Sequence, residues 1–381
     1  MVVVGDPQQL PPTAFFERID AFDADEDADE YVDNESILDV ALSVFHPARE
    51  LRWHYRSRHE SLMAFSNKHF YDGKLVVFPS PAPNHDDYGV EYRKVEGQYT
   101  PKAGVNLPEA QAVAEAAVAF MAEYPNRSLG VVTINQAQRE IVTEEMDRLF
   151  ARDRSAEAYR RRWEETLEPV FVKNLENVQG DERDVIFIST VYGPEQPGGR
   201  VAQRFGPINS VAGHRRLNVL FTRAKEKVVV FSSMQVSDVI PTETSRPGVA
   251  ILKHYLDYAS SRRLDFGTDT GREPDSDFEM FVADRLGREG FEVVPQVGVA
   301  GYFIDLAVKD PRDPQRYLLG IECDGASYHS AKSARARDRL RQEILEQKGW
   351  QLYRIWSTDW FGSPDREVAK LSRFIHELTK V

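Results

Sequence analysis

Two short apolar runs, each entered from a polar loop, constrain the fold of this chain more than any other feature. Val178-Gln179-Gly180-Asp181-Glu182-Arg183-Asp184 leads into the apolar run 185–188. Arg215-Arg216-Leu217-Asn218-Val219-Leu220-Phe221-Thr222-Arg223-Ala224-Lys225 leads toward the run 228–231. Continuous branched and aromatic residues, without polar alternation, read as strands buried on both faces, as in a parallel sheet. Gly180 lets the loop backbone approach a ligand closely. A fixed arginine such as Arg223, beside a loop able to hold phosphate, is a group that stabilises charge on a transferred phosphoryl.

The pattern extends along the chain. Residues 129–133, 185–190 and 228–231 read as strands, and 110–122 and 137–149 as helices. This alternation implies an α/β fold with a parallel sheet and helices on both faces. Residues 150–166 are rich in Arg and Glu and read as a solvated helix. Prolines at 241 and 247 interrupt the pattern; a short helix over 249–258 and a polar linker over about 261–275 follow.

Length and composition bound the classes. A chain of 381 residues is expected to hold two or three domains, and 41% hydrophobic residues suffice for packed cores. The single cysteine, Cys323, excludes a disulfide framework. No apolar run approaches the roughly 18 residues of a membrane span and no signal peptide is visible, so a cytoplasmic location is expected. A net charge of −13 argues against a broadly basic DNA-coating protein but leaves room for a local basic groove.

The paired segments resemble motifs V and VI of superfamily 1 helicases, in the branch with a QGxE and an RRLNVxxTRAK signature. Gly5-Asp6-Pro7-Gln8-Gln9-Leu10-Pro11-Pro12 resembles motif III, and Leu51-Arg52-Trp53-His54-Tyr55-Arg56-Ser57 motif IV. Asn67-Lys68-His69-Phe70-Tyr71-Asp72-Gly73-Lys74-Leu75 is similar to the segment that follows in 5′→3′ members, and Val131-Val132-Thr133 with Gln136-Ala137-Gln138-Arg139-Glu140-Ile141 to motif IVa. The resemblance implies an ATP site in the longer protein. Arg56 and Arg223 would face the γ-phosphate, Gln9 would sense it, and Gln179, Gly180 and Glu182 would line the cleft.

One departure bears on activity. The P-loop and the acidic strand end that holds Mg²⁺ in such motors are absent from the sequence. The run 17–35 carries ten carboxylates but no apolar strand before them, so it reads as an acidic loop. Val2-Val3-Val4 reads as an orphan strand. The expectation is the C-terminal part of a longer protein or a truncated gene product. Its partner would be a missing N-terminal motor domain, and it would not hydrolyse ATP alone.

The last hundred residues hold a second constellation. Ser276 or Asp277 caps a helix running to Gly290; 291–296, 301–308, 317–324 and 350–356 read as strands, and 331–347 as a basic helix. Asp305 and Glu322 interrupt apolar strands, where an unpaired ionised carboxylate is costly. A divalent cation held by two carboxylates and a backbone carbonyl is one answer, and hard oxygen ligands suit Mg²⁺ or Mn²⁺. Pairing of one carboxylate with Arg335 or Arg339 is the other. On the basic helix, Arg335 and Arg339 share one face and Arg337 and Arg341 another, able to grip phosphates or simply to face water. Trp350, Tyr353, Trp356 and Trp360 read chiefly as core.

Residues 275–375 resemble the PD-(D/E)xK nuclease fold, in a branch similar to the very-short-patch-repair endonucleases. That implies a metal site at Asp305 and Glu322 with the carbonyl of Cys323, and Glu279 as a further acidic group. Asp324 stands where Lys is usual, so Glu-x-Asp replaces Glu-x-Lys; His329, after Tyr328, is the candidate acid or base.

The expected organisation is therefore four parts. Residues 1–35 are a first-domain remnant and acidic loop, 36–240 a second RecA-like domain, 241–274 a linker with a short helix, and 275–381 the nuclease domain. The expected function is an ATP-dependent DNA helicase portion fused to a metal-dependent endonuclease. The alternative is a non-cleaving DNA-binding module that steers the motor.

Overall fold

A computed structural model of the chain describes residues 2–10, 37–83, 86–261, 273–299, 301–325 and 332–380, with side chains in the helix 332–347 described from Asp338 onward. The acidic run 17–35, most of the linker and His329 lie outside the described residues.

In chain order the elements are α1 (Ile37–Val44), β1 (Trp53–His54), α2 (Ser61–Phe70), β2 (Val76–Val77), β3 (Gly89–Lys94), α3 (Leu107–Glu123), β4 (Leu129–Thr133), α4 (Gln136–Phe150), α5 (Arg154–Glu164), β5 (Phe171–Asn174), β6 (Arg183–Ser189), α6 (Gly213–Phe221), β7 (Ala224–Ser232) and α7 (Pro247–Ser261). Then come α8 (Asp277–Arg288), β8 (Val293–Val299), β9 (Tyr302–Asp310), β10 (Asp313–Asp324), α9 (Lys332–Gln347), β11 (Leu352–Trp356), α10 (Ser357–Gly362) and α11 (Pro364–Leu378). They form two compact units. One contains residues 1–51, 68–72 and 90–263; the other contains 52–67, 73–89 and 264–381.

The first unit is RecA-like. Its five-stranded sheet has the order β3-β7-β6-β4-β5, with β4–β5, β4–β6 and β6–β7 all parallel. All five residues of β4 are buried, as the unbroken apolar run requires. Helices α3, α4 and α5 start where Asn106, Asn135 and Asp153 accept hydrogen bonds from free first-turn N–H groups. Residues 150–166 are not simply a solvated helix. Ala156 and Tyr159 of α5 are buried in the core, and the Tyr159 hydroxyl donates to the Arg127 carbonyl. The surrounding Arg and Glu mask that apolar pair in the sequence. Val2-Val3-Val4 is not a strand: it pairs with none among the described residues, and Val2 and Val4 are exposed. Without a ladder partner the apolar run has nothing to pair with.

The second unit is a smaller α/β domain with the strand order β11-β10-β9-β8. β8, β9 and β10 are antiparallel neighbours, while β11 returns parallel to β10 after the crossover helix α9. Gly301 turns the β8–β9 hairpin with φ +89°, a left-handed conformation that favours glycine. The expected domain of residues 36–240 is not one compact piece, because 52–67 and 73–89 pack with this unit. Phe78 is wholly buried among Tyr302, Ile304, Tyr317 and Trp350, with Trp53 packed at the edge. Trp350 Nε1 donates to the Pro79 carbonyl at 2.9 Å, and Tyr317 N to the Pro81 carbonyl at 2.7 Å. Trp350 and Trp360 are core residues, as expected, while Tyr353 and Trp356 are half-buried.

Candidate functional site

In the first unit the helicase-like motifs meet through hydrogen bonds. The Gly5–Leu10 turn is built on Asp6, whose carboxylate accepts from Gln8 N and Gln9 Nε2, each at 2.9 Å. The Tyr71 hydroxyl donates to the same carboxylate at 2.8 Å. Asn218 on α6 donates from Nδ2 to Tyr71 Oη at 3.0 Å and to the Gln8 carbonyl at 2.9 Å. Gln179 Nε2 reaches the Leu10 carbonyl at 3.0 Å. Burial and the Asp6 charge hold the Tyr71 phenol far above its ordinary range, so it remains a donor to Asp6.

The expected nucleotide residues are only partly gathered. Gly180 has φ +90° and no heavy atom near its Cβ position, leaving the loop open on that side. Glu182 is half-buried in the same loop. Arg223 is 4% exposed. Its Nε donates to the Val219 carbonyl at 2.8 Å, Nη2 to Thr222 Oγ1 at 3.2 Å and Nη1 to the Asp181 carbonyl at 3.5 Å. It is thus tied to the Val178–Glu182 loop, and reaching a phosphate requires exchanging these bonds. Arg56 belongs to the other compact unit.

The second unit gathers the acidic residues. Asp305 lies on β9, and Glu322, Cys323 and Asp324 end β10. Ile321 is paired with Leu306, so the next step of the antiparallel register sets Glu322 opposite Asp305. Asp305 Oδ2 accepts a hydrogen bond from Cys323 N at 2.7 Å, and Glu322 Oε1 accepts one from the Tyr302 hydroxyl at 2.9 Å. Burial, then the Glu322 charge, raises the Asp305 carboxyl above the usual carboxylate range; the Cys323 N–H opposes this. Burial also raises Glu322, against the Tyr302 hydrogen bond and the charges of Arg354 and Arg341. The Cys323 thiol is pushed up by burial and by the surrounding acids, so it stays protonated and is a poor metal ligand itself.

Glu279 is 5% exposed at the start of α8. Its carboxylate accepts from Ser276 Oγ at 2.8 Å, Asp275 N at 2.9 Å and Gln296 Nε2 at 2.8 Å. Each oxygen is engaged, so the group orders the helix start and adds negative charge toward Asp305. Gln296 has φ +50°, a strained conformation for this residue, beside the acidic group it serves. Asp324 pairs with Arg354 at 3.1 Å. Neither carboxylate takes Arg339, which pairs with Glu343 at 2.8 Å. Arg341 pairs loosely with Asp338 at 3.8 Å. Arg335 and Arg337 lie on α9. Among the described residues no three His, Cys, Asp or Glu side chains are placed to hold a metal ion, so any cation would need backbone oxygen or water besides the two carboxylates.

Residues 34–235 match the family model AAA_12, described as an AAA domain, over 202 of the 381 residues. The chain belongs to the AAA_12 family. In this AAA_12 protein, residues 278–375 match a second model, REase_MTES_1575, so an α/β motor-type domain and a restriction-endonuclease-like domain share one chain. The chain is 28% identical to an uncharacterized ATP-dependent helicase of Mycoplasma pneumoniae over 97% of its length, and 27% identical to one of Mycoplasma genitalium over the same share. It is 23% identical to the helicase Sen1 of Schizosaccharomyces pombe over 61% of its length. The chain spans 34% of each Mycoplasma relative and 13% of Sen1. No helix among the described residues is long and apolar enough to cross a membrane.

Tyr302, Gln296 and Trp53 escape the sequence reading of this AAA_12 protein. Tyr302 had a signal, an aromatic three positions before Asp305 in the same strand. Trp53 had none, since well over 200 residues separate it in sequence from its neighbours Tyr302 and Arg341.

Proposed function

We propose that this AAA_12 protein carries the second half of an ATP-dependent superfamily 1 DNA helicase joined to a divalent-cation-dependent deoxyribonuclease. The observation that carries the nuclease half is the hydrogen bond that sets the Asp305 carboxylate of β9 against Cys323 N of β10, beside Glu322. Two half-buried carboxylates whose ionisation is opposed by burial form a donor set that a hard cation would stabilise in the charged form. Asp305, Glu322 and the Cys323 carbonyl would hold Mg²⁺ or Mn²⁺, and the ion would polarise a phosphodiester and activate water.

The chain's own residues do the positioning. The Cys323 N–H fixes one oxygen of Asp305, and the other accepts no hydrogen bond among the described residues. The Tyr302 hydroxyl orients Glu322 in the same way. Glu279, engaged by Ser276 and Gln296, shapes the potential without offering a free oxygen. The arginines of α9 hold DNA phosphates. His329 serves as the candidate proton carrier.

In the motor half, Gln9, Gln179, Gly180, Glu182, Arg56 and Arg223 would act on ATP within a longer polypeptide that brings a P-loop. A non-cleaving DNA-binding module is favoured by one observation: Arg354 pairs with Asp324, so no free cation stands at the third position of Glu-x-Asp. Nicking of supercoiled plasmid by residues 1–381 with Mn²⁺ separates the readings. Cation-dependent nicks lost in Asp305→Ala support the nuclease, while DNA binding without nicks supports the module.

A further inference from the structure

The Arg341 guanidinium sits over the Trp53 ring at 5.8 Å and over the Tyr302 ring at 5.7 Å. The two rings belong to one aromatic ladder: Trp53 meets Phe78 edge-on at 5.7 Å, and Phe78 meets Tyr302 at 4.8 Å. Tyr302 is also the residue that donates to Glu322. Arg341 therefore lies one side chain away from the carboxylate pair: its charge acts on Glu322, but it forms no ion pair with either acid among the described residues. Its ion-pair distance is 3.8 Å to Asp338, and its buried Nε has no hydrogen-bond partner among the described residues. By contrast, Arg339 is held by Glu343 and Arg354 by Asp324.

An arginine between aromatic faces loses little further freedom when it binds, and its planar fork suits phosphate. Two rings flank the guanidinium, and 37% of the Arg341 side chain stays exposed. The geometry points to Arg341 as the residue that takes a nucleic-acid phosphate beside the Asp305–Glu322 pair, with Trp53 and Tyr302 as the walls that hold it there. This rests on the nuclease reading for where the phosphate lies. It assigns Trp53, within the motif IV-like segment, to the nuclease-like unit rather than to the motor. Of the two α9 arginines whose side chains are described, Arg341 has a built cradle and Arg339 is held by Glu343.

The test uses the intact chain and a short fluorescein-labelled DNA duplex, with Ca²⁺ replacing Mg²⁺ so that affinity is read by anisotropy over a KCl series. Arg341→Met is expected to weaken binding about tenfold and to lower the salt slope by about one. Arg341→Lys should recover part of the affinity. Trp53→Leu, with the arginine intact, should weaken binding a few-fold. Arg288→Met, which removes a cation paired with Asp284 on α8, should bind like the wild type. Melting curves check that each variant is folded. Equal affinity in Arg341→Met and wild type, or an equal loss in Arg288→Met, would overturn the inference. The reading needs no cleavage: dependence on Arg341 in a chain that does not nick DNA supports the phosphate site while defeating the nuclease reading.

Discussion

The Asp305 carboxylate accepts a hydrogen bond from Cys323 N at 2.7 Å, which sets it against the strand that carries Glu322. Burial raises both acids, so neither ionises as readily as a solvated carboxylate. Asp305→Ala and Glu322→Ala should each abolish cation-dependent nicking. Each should leave the chain folded with at most a small drop in melting temperature, because it removes a poorly solvated carboxyl rather than core volume and orphans a single donor, Cys323 N or the Tyr302 hydroxyl. Nicking assays and thermal melts on the same preparations check both halves.

Lys348 is 8% exposed, and its ammonium donates to the Ser57 carbonyl. Burial lowers its pKa to about 8, from 10.5. Below pH 8 folded and unfolded chains both hold the proton, and the cost of burying the charge is fully present. Between pH 8 and 10.5 only the unfolded chain holds it, so stability rises with pH through that window. The gain is roughly 3 kcal/mol at full extent, at about 1.4 kcal/mol per pH unit. Urea melts of the chain at pH 7.5 and 10, followed by tryptophan fluorescence, should show this rise in the wild type and not in Lys348→Met.

Glu109 was not singled out by sequence and is wholly buried. Its carboxylate accepts from Ser189 Oγ, Val191 N, Ser233 N and Ser233 Oγ at 2.7–3.0 Å, joining the ends of β6 and β7. Glu109→Ala leaves those donors buried without a partner and should cost about 3–5 kcal/mol by denaturant unfolding. Glu109→Gln, which keeps one acceptor, should cost less.

In the motor half, this chain alone should show no DNA-stimulated ATP hydrolysis, because the sequence holds no P-loop. Within a longer polypeptide that supplies one, Arg223→Ala should cost several kcal/mol in turnover, by analogy with arginine fingers. Steady-state phosphate release measures both.

The strands β4, β6, β7 and β8 to β11 and the helices α3, α4, α8 and α9 were legible because apolar runs are local signals, whereas the edge strands β3 and β5, which carry polar residues, were not read. Ser276 marks a helix start where the structure has it, while Asn106 and Asn135, which cap α3 and α4, were not read as caps. Two acids in otherwise apolar strands singled out Asp305 and Glu322, but the antiparallel register of β9 and β10 that sets them side by side was not legible, because strand pairing is not a local signal. The placement of residues 52–67 and 73–89 was hidden, because Phe78 and Trp53 find their partners more than 200 residues away. The aromatic cradle of Arg341 was hidden for the same reason. Its loose ion pair could not be told from an ordinary charged helix face.

The most direct test of the carboxylate site is anomalous diffraction from crystals of the chain soaked in Mn²⁺. The account predicts one strong peak between Asp305 and Glu322, about 2.1 Å from an oxygen of each and within reach of the Cys323 carbonyl. A peak elsewhere, or the two carboxylates facing opposite sides of the sheet with no density between them, would contradict it.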